Sequence, residues 1–293
     1  MYDAEPRDFS SVWRTLATEL GVAGLLVPES LGGAGASARE AAVVMEEIGR
    51  AVAPVPFLSS AVLATIALLR AGDTQTVSAL AQGELTAALV VPVAGRDGLE
   101  LHTVARDAAG VQISPLLALD MTRPLAAVSF SGSPSTRVGA GDEPVTEAIR
   151  TSAALLASEQ LGVAQWCFET TLEYAGQRRQ FGRTIGSYQA IKHRLADLWF
   201  EVGAATAAAR YAADTCARGG EDADAAAAIA QAYCSDIAVH AAEECVQLHG
   251  GIGMTWEYPA HLYLKRAKSD QLAFGTAYRH RARLAELVDL PAF

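Results

Sequence analysis

Gln247-Leu248-His249-Gly250-Gly251-Ile252-Gly253-Met254-Thr255-Trp256-Glu257-Tyr258-Pro259 closes a long, Ala-rich stretch of the chain. Its glycines at 250, 251 and 253 end any helix that reaches them and let a backbone come close to a neighbour. Amides exposed in such a turn can bind an anion. The stretch is not a dinucleotide fingerprint following a strand, and no Gly-Lys-Ser/Thr follows to make it a phosphate loop. Alone, it reads equally well as a glycine-rich helix end at a tight crossing. A second stretch gives it weight: Tyr174-Ala175-Gly176-Gln177-Arg178-Arg179-Gln180-Phe181-Gly182-Arg183-Thr184-Ile185, followed by Gln189. Here a helix ends in arginines, with an aromatic residue and a glycine directly after. Arginine beside an aromatic ring can hold a diphosphate by charge-assisted hydrogen bonds and cover a base by stacking.

Outward from these stretches, the C-terminal half is helical throughout. Val163, Trp166, Cys167, Thr170 and Tyr174 recur at helical spacing, in a helix that begins near Pro144. Long helices are expected over about 188–218, closed by Gly219-Gly220, and over about 222–249, with a last one over about 275–288. Long helices joined by short loops suggest an antiparallel bundle. At the other end, Phe9, Val12, Trp13, Leu16 and Leu20 predict a helix closed by Gly21. The loop Val27-Pro28-Glu29-Ser30-Leu31-Gly32-Gly33-Ala34-Gly35 cannot be helical. A helix capped by Ser37 follows through Ala41, Val44, Met45 and Ile48, and another covers Ser59 to Leu69. Between the helical regions, Leu85–Val91, Leu99–Ala105, Val111–Ile113 and Leu125–Phe130 read as short strands.

The composition fits a well-packed helical protein: 51% hydrophobic and 19% charged residues over 293 positions. A net charge of −10 argues against nucleic acid or an anionic membrane as partner. The cations nevertheless gather in two stretches. One holds Arg178, Arg179, Arg183, Lys192 and Arg194, and the other holds Lys265, Arg266, Lys268, Arg279, Arg281 and Arg283. Solvated helix faces would explain both equally well. Cys167, Cys216, Cys234 and Cys245 show no CxxC or zinc-ligand spacing and read as buried, reduced thiols, with no metal site. MYDAEPRDFS lacks the basic and apolar regions of a signal peptide, and no apolar run is long enough to span a bilayer. The expectation is a cytoplasmic protein.

Arg-x-x-Phe-Gly at 178–182, then Gln189, then Gln247-Leu-His-Gly-Gly-x-Gly-x-x-x-Glu-Tyr-Pro together resemble the C-terminal helical domain of the acyl-CoA dehydrogenase family. The Val27-Pro28-Glu29…Gly32-Gly33 loop is similar to the family's N-terminal domain. The resemblance implies a mostly α fold. It places an N-terminal helical domain over 1–83, a reduced central β region over 84–143 and a C-terminal four-helix bundle over 144–293. It implies FAD as cofactor and the oxidation of an acyl-CoA to its enoyl-CoA, with a carboxylate taking the α-proton. Arg178, Gln180 and Phe181 would then contact the pyrophosphate and adenine side of FAD across a subunit interface. Gln247, Gly250 and Gly251 would contact the same FAD, and Thr276 falls at another flavin contact.

The resemblance breaks at the base. The family's glutamate position is occupied by Phe274 in Ala273-Phe274-Gly275-Thr276, and phenylalanine accepts no proton. The alternative position, on the helix before the Arg motif, falls at about Ser152, and the carboxylate nearest to it on that helix, Glu159, reads as an ordinary polar helix residue. The strands that cradle the flavin ring in the family are not found between Glu84 and Pro144. Ala260 to Lys268, then Phe274-Gly275 and Tyr278-Arg279-His280-Arg281, with Leu119 to Pro124, resemble the short subunits of heterotetrameric acyl-CoA dehydrogenases of steroid-degrading actinobacteria. That implies an α2β2 assembly in which a larger partner subunit supplies the base and the ring site. It also implies a steroid-derived acyl-CoA substrate and an electron-transfer flavoprotein as acceptor. Three alternatives stay open. One is a self-sufficient homo-oligomer using Glu159 or Asp270, another is a scaffold that binds no flavin, and the third is a hydratase or dehydratase on the same fold. His249 and His261 flank the glycine turn, and a histidine so placed more often bonds a backbone carbonyl than catalyses.

Overall fold

A computed structural model describes residues 8–92 and 98–290. It divides into two compact units. One is made of Met1–Ala41 with Pro54–Ser152, and the other of Ala42–Ala53 with Ala153–Phe293. The fold is mostly helical with a few short strands, as the sequence predicts.

In the first unit, α1 (Ser10–Arg14) continues as a wider π-turn over Thr15–Glu19 and stops at Gly21. The Pro/Gly loop then folds back on itself. Ala34 N–H donates to Gly24 O at 2.9 Å and Gly35 N–H to Val27 O at 2.8 Å. Gly33 is required there, since a Cβ would lie 2.1 Å from the Val27 carbonyl oxygen. Ser37 starts α2 (Ala38–Ala51) through a reciprocal cap. Its hydroxyl accepts from Arg39 N–H at 3.2 Å while its own N–H donates to Glu40 Oε2 at 2.8 Å. A π-helical segment, Phe57–Ala64, runs into α3 (Thr65–Ala71). Then comes α4 (Thr74–Ala81), which the sequence reading missed although Asp73 caps it by accepting from Thr76 N–H at 2.9 Å.

The β region is reduced to two ribbons. β1 (Glu100–Thr103) pairs antiparallel with β4 (Thr136–Ala140), and β2 (Val111–Leu116) with β3 (Leu125–Phe130). The expected strand at Leu85–Val91 is not formed. The run is apolar enough, but it finds no strand partner among the described residues, and Ala87 N–H donates instead to the Ser60 hydroxyl at 3.0 Å. Val27, Leu68, Val77, Leu80 and Leu101 pack this unit's core together with Val145 and Ala148. The last two lie on the first turns of α5 (Asp142–Gln177).

In the second unit, α5 runs on and is joined by a small ribbon, β5 (Arg179–Gln180) and β6 (Arg183–Thr184). Next come α6 (Gln189–Arg218) and α7 (Ala223–His249), as the periodicity predicts, with Gly219 left-handed at the α6 terminus. The expected last helix is α9 (Ala277–Leu287), preceded by the unanticipated α8 (Ala260–Leu272). Alanine dominates the core, with Ala157, Ala164, Ala205, Ala209, Ala230 and Ala241 among its fully buried members. Small side chains let helix backbones approach closely. The tightest crossing sets α2 on α5: a Cβ on Gly49 would lie 2.1 Å from Glu159 O, and one on Gly162 would lie 2.0 Å from Glu46 O. Arg50 fixes this crossing by donating to Gln165 Oε1 at 3.1 Å and to Glu169 Oε2 at 2.5 Å.

Among the described residues no helix is long and apolar enough to cross a membrane. The Gly162 contact makes a two-sided prediction. Gly162→Ala overpacks the crossing and should lower stability by about 3 kcal/mol. Gly203→Ala, in α6 where a Cβ would meet nothing within 4 Å, should raise it by up to about 1 kcal/mol. Urea midpoints of the two variants against the parent check both signs.

Candidate functional site

The first arm of the site begins where α5 ends. Arg178 N–H donates to Tyr174 O at 2.8 Å, and Ile185 N–H to Arg178 O at 2.8 Å, which closes the β5–β6 ribbon onto the helix end. In the ribbon Arg179 pairs with Thr184 and Gln180 with Arg183, leaving Phe181 and Gly182 as a two-residue turn. Their φ values are +52° and +80°. Positive φ at both central residues is a type I′ turn, which favours Asn-Gly because a bulky residue is strained in the left-handed region. Phe181 accepts that strain and leaves its ring 93% exposed. Among the described residues the Phe181 side chain is left almost without contact, and only the ribbon holds its backbone. Arg183 stands over the Tyr188 ring at 3.8 Å, and the Tyr188 hydroxyl donates to Gln180 O at 3.2 Å, so the ribbon itself is well held.

The second arm is the α7 terminus. Gly250 adopts φ +63°, ψ −139°, which an L side chain resists. A Cβ on Gly251 would meet nothing within 4 Å, so no neighbour among the described residues explains its bare backbone. Gln247, Gly250 and Gly251 are all exposed.

His249 joins the two arms. Its Nδ1 lies 2.7 Å from Cys245 O, the carbonyl contact expected of it, and its Nε2 lies 2.7 Å from the Tyr258 hydroxyl. The Tyr174 ring stacks on its other side at 4.3 Å, and the Tyr174 hydroxyl donates to His249 O at 3.4 Å. Burial alone would lower the imidazole pKa, but the Cys245 thiol and carbonyl raise it above the usual value. Burial pushes the Tyr258 hydroxyl up to about 12, so it stays protonated. Beneath this stack Ala175, Leu195 and Leu248 form a small core with Ile185 and Ile191. Arg178, Gln180 and Phe181 are thereby held at the same end of the bundle as Gln247, Gly250 and Gly251. Tyr174 and Tyr258 form this clamp, and the aromatics flanking the glycine turn are its signal in the sequence.

Thr276 is different. It is the half-buried residue that starts α9, without a side-chain cap bond, and no described hydrogen bond or ring contact ties it to either arm. It follows a turn in which Phe274 has φ +57° and Gly275 φ +113°.

The carboxylates that could replace a missing base are locked away. Glu159 is not an ordinary polar helix residue. It is 0% exposed and accepts from the Arg266 guanidinium, itself 1% exposed. The sequence reading fails here because both residues take core positions usually reserved for apolar side chains. Arg266 falls on the buried stripe of α8 formed by Ala260, Tyr263, Ala267 and Asp270. Asp270 is equally buried. Gln160, next to Glu159, donates to Gln231 Oε1 and to Asp270 O, each at 3.3 Å. A core ion pair of this kind cannot swing out to meet a substrate without leaving a buried charge unpaired.

The cations near the first arm behave in the opposite way. Arg178, Arg179 and Lys192 make no ion pair among the described residues, whereas Arg194, Arg210 and Arg281 are paired with acids. In an acidic chain this leaves one corner able to receive an anion. None of the four cysteines forms a disulfide; Cys167, Cys234 and Cys245 are buried as expected, Cys216 is only half-buried, and burial pushes the Cys234 thiol up to about 12. Among the described residues no group of His, Cys, Asp and Glu could hold a metal ion.

Comparisons with known proteins identify the relatives of this chain. A family model for the acyl-CoA dehydrogenase C-terminal domain matches residues 139–288, and one for the N-terminal domain matches residues 2–84. Acyl-CoA dehydrogenase IpdE2 of Mycobacterium tuberculosis is 41% identical over 267 residues, covering 88% of this chain and 80% of that protein. Among solved structures, the ChsE4-ChsE5 complex from Mycobacterium tuberculosis superposes with a TM-score of 0.87 at 27% identity, covering 99% of this chain and 91% of that one. The Tcur3481-Tcur3483 steroid ACAD G363A variant does so at 0.83 and 25% identity, covering 96% and 88%.

Two outcomes follow from this geometry. Phe181→Asn relieves the turn and should stabilise the chain by about 1 kcal/mol, read as a raised Tm. Arg266→Ala strands the Glu159 carboxylate in the core and should cost about 3–5 kcal/mol, whereas the double change Glu159→Leu/Arg266→Met should recover most of that loss in the same melts.

Proposed function

The chain belongs to the acyl-CoA dehydrogenase family, and from that premise we propose that it is a flavin-gripping subunit whose active site is completed by a partner. The partner is a larger acyl-CoA dehydrogenase subunit in an α2β2 assembly, and it supplies the proton-abstracting base and the pocket for the flavin ring. The observation that carries this reading is Phe181. A bulky residue held in a strained turn with its ring 93% exposed is explained by a contact outside this chain.

The residues present fit FAD. Arg178, without an ion-pair partner among the described residues, would hold the pyrophosphate with Gln180, and Phe181 would cover the adenine. Gln247 would hydrogen-bond the same nucleotide, while Gly250 and Gly251 admit it against bare backbone. Thr276 would add a contact from the α9 start. When bound, FAD supplies the two-electron acceptor for oxidation of an acyl-CoA to its α,β-enoyl-CoA. This chain's own part is to bind and orient, because Phe274 replaces the base and Glu159 is tied to Arg266. The buried pair also disfavours a self-sufficient homo-oligomer relying on Glu159.

Assembly is supported by apolar surface that the second unit leaves open. Trp199, Phe200 and Tyr278 are 66%, 71% and 79% exposed. Aromatic side chains bared on this scale mark an interaction surface rather than a finished exterior. The divisions 1–83, 84–143 and 144–293 serve in this reading as an N-terminal helical module, a reduced β module and the flavin-binding bundle. The substrate we infer is a steroid-derived acyl-CoA, supported by the steroid ACAD among the similar structures. An electron-transfer flavoprotein would take the electrons, in the cytoplasm.

The test starts with colour. The chain purified alone should lack flavin absorbance, and the complex with a larger acyl-CoA dehydrogenase subunit should be yellow and reduce a dye with an acyl-CoA. Arg178→Ala should lower flavin retention of that complex about tenfold while leaving the fold and assembly intact, by absorbance ratio and native mass. A yellow, active homo-oligomer, or unchanged flavin content in Arg178→Ala, removes the proposal.

A further inference from the structure

The β5–β6 ribbon has two faces, and the flavin reading uses one of them. Side chains alternate along a strand, and directly paired residues share a face. Gln180 and Arg183 therefore lie on one face, and Arg179 and Thr184 on the other. Thr184 lines a groove of about 610 Å³ between the end of α5 and the start of α6. Its floor is apolar, built from Phe168, Leu172, Ala175 and Leu195, and Lys192 stands in its wall. Gly186 shapes this groove, since a Cβ there would lie 2.9 Å from Ala175 O, so only glycine lets the turn settle against α5. Arg179 pairs with Thr184 across the ribbon and so shares its face, beside the groove and outside its lining. Neither Arg179 nor Lys192 has an ion-pair partner among the described residues, although the chain carries a net charge of −10.

We propose that this groove is a second binding site, separate from the flavin grip, for a small amphipathic anion whose apolar body lies on Phe168, Leu172 and Leu195 and whose anionic head meets Arg179 and Lys192. The volume suits a small ligand. An apolar floor with cations at one side selects a molecule with a single charged end, because a second buried charge would go unpaired. An acyl-chain carboxylate and a nucleotide phosphate both present such an end, and competition separates them.

The probe is anilinonaphthalene sulfonate, an apolar ring system bearing one sulfonate, titrated by fluorescence into the full chain and into the complex with its partner. Saturable binding in both is expected, displaced by decanoate if the natural head is a carboxylate on an acyl chain and by adenosine monophosphate if it is a nucleotide phosphate. Arg179→Gln/Lys192→Gln should weaken probe binding about tenfold or more through the lost charge-assisted hydrogen bonds. Leu172→Asp should weaken it independently by charging the floor at an already half-exposed position. Flavin content of the complex should stay at the parent level in both variants. Probe binding that ignores these changes overturns the proposal, as does loss of the site when the partner binds, which would make the groove part of the subunit interface. Flavin loss in Arg179→Gln/Lys192→Gln overturns it too, by assigning both cations to the flavin, whereas failure of the flavin reading would show in Arg178→Ala and leave probe binding untouched.

Discussion

The buried pair of Glu159 and Arg266 sets the terms for the bundle around it. It joins α5 to α8, and Arg266 also donates to Ala53 O at 3.4 Å, so the end of the α2 segment is drawn into the same contact. Desolvating two charges can consume most of what their attraction returns, so such a pair adds little net stability over apolar residues of the same shape. Its effect is on specificity. With either partner missing, the penalty of about 3–5 kcal/mol is a large part of the roughly 5–15 kcal/mol by which domains are stable. Helix arrangements that separate Glu159 from Arg266 are penalised by that amount. The alanine and glycine packing depends on the paired arrangement, because Gly49 and Gly162 tolerate a single register of α2 on α5.

The same pair explains where sequence reading stops. Helices with regular apolar spacing and glycine ends were legible almost to the residue, as α6 and α7 show. The α2 cap was legible because Ser37 and Glu40 stand three apart, and local chemistry decides the outcome. Leu85–Val91 failed for the opposite reason. A strand is defined by its partner, and local composition says nothing about whether one is available. α8 was missed because its buried stripe carries Arg266 and Asp270, which a hydropathy pattern counts as surface. Glu159 and Arg266 are 107 positions apart, and only the fold reveals that each neutralises the other.

For the candidate site, the sequence supplied the residues and the structure supplied their relation. Arg178 and Gln247 are far apart along the chain, and their shared location follows from one histidine held by two tyrosines. The strain at Phe181 was not legible at all, since Gln-Phe-Gly-Arg carries no sign of a type I′ turn without backbone angles. Strain of this kind costs about 1–3 kcal/mol and persists where the surroundings over-determine it. Here the surroundings are the paired ribbon, the Tyr188 contacts and the seal of Ile185 onto the α5 end.

Phe274 carries the argument one step further. Its backbone is left-handed and Gly275 follows at φ +113°, a turn that costs free energy for any residue with a Cβ. A chain that needed only to fill space there could run straight from α8 into α9. The turn instead delivers Thr276 to the start of α9, and His280 packs beside Gly275, with its Nε2 3.4 Å from where a Cβ would sit. The shape of the loop and the chemistry at its tip are thus separable: phenylalanine occupies the tip without unmaking the turn. In the proposed function the backbone of this turn serves the ligand whether or not its tip carries a carboxylate.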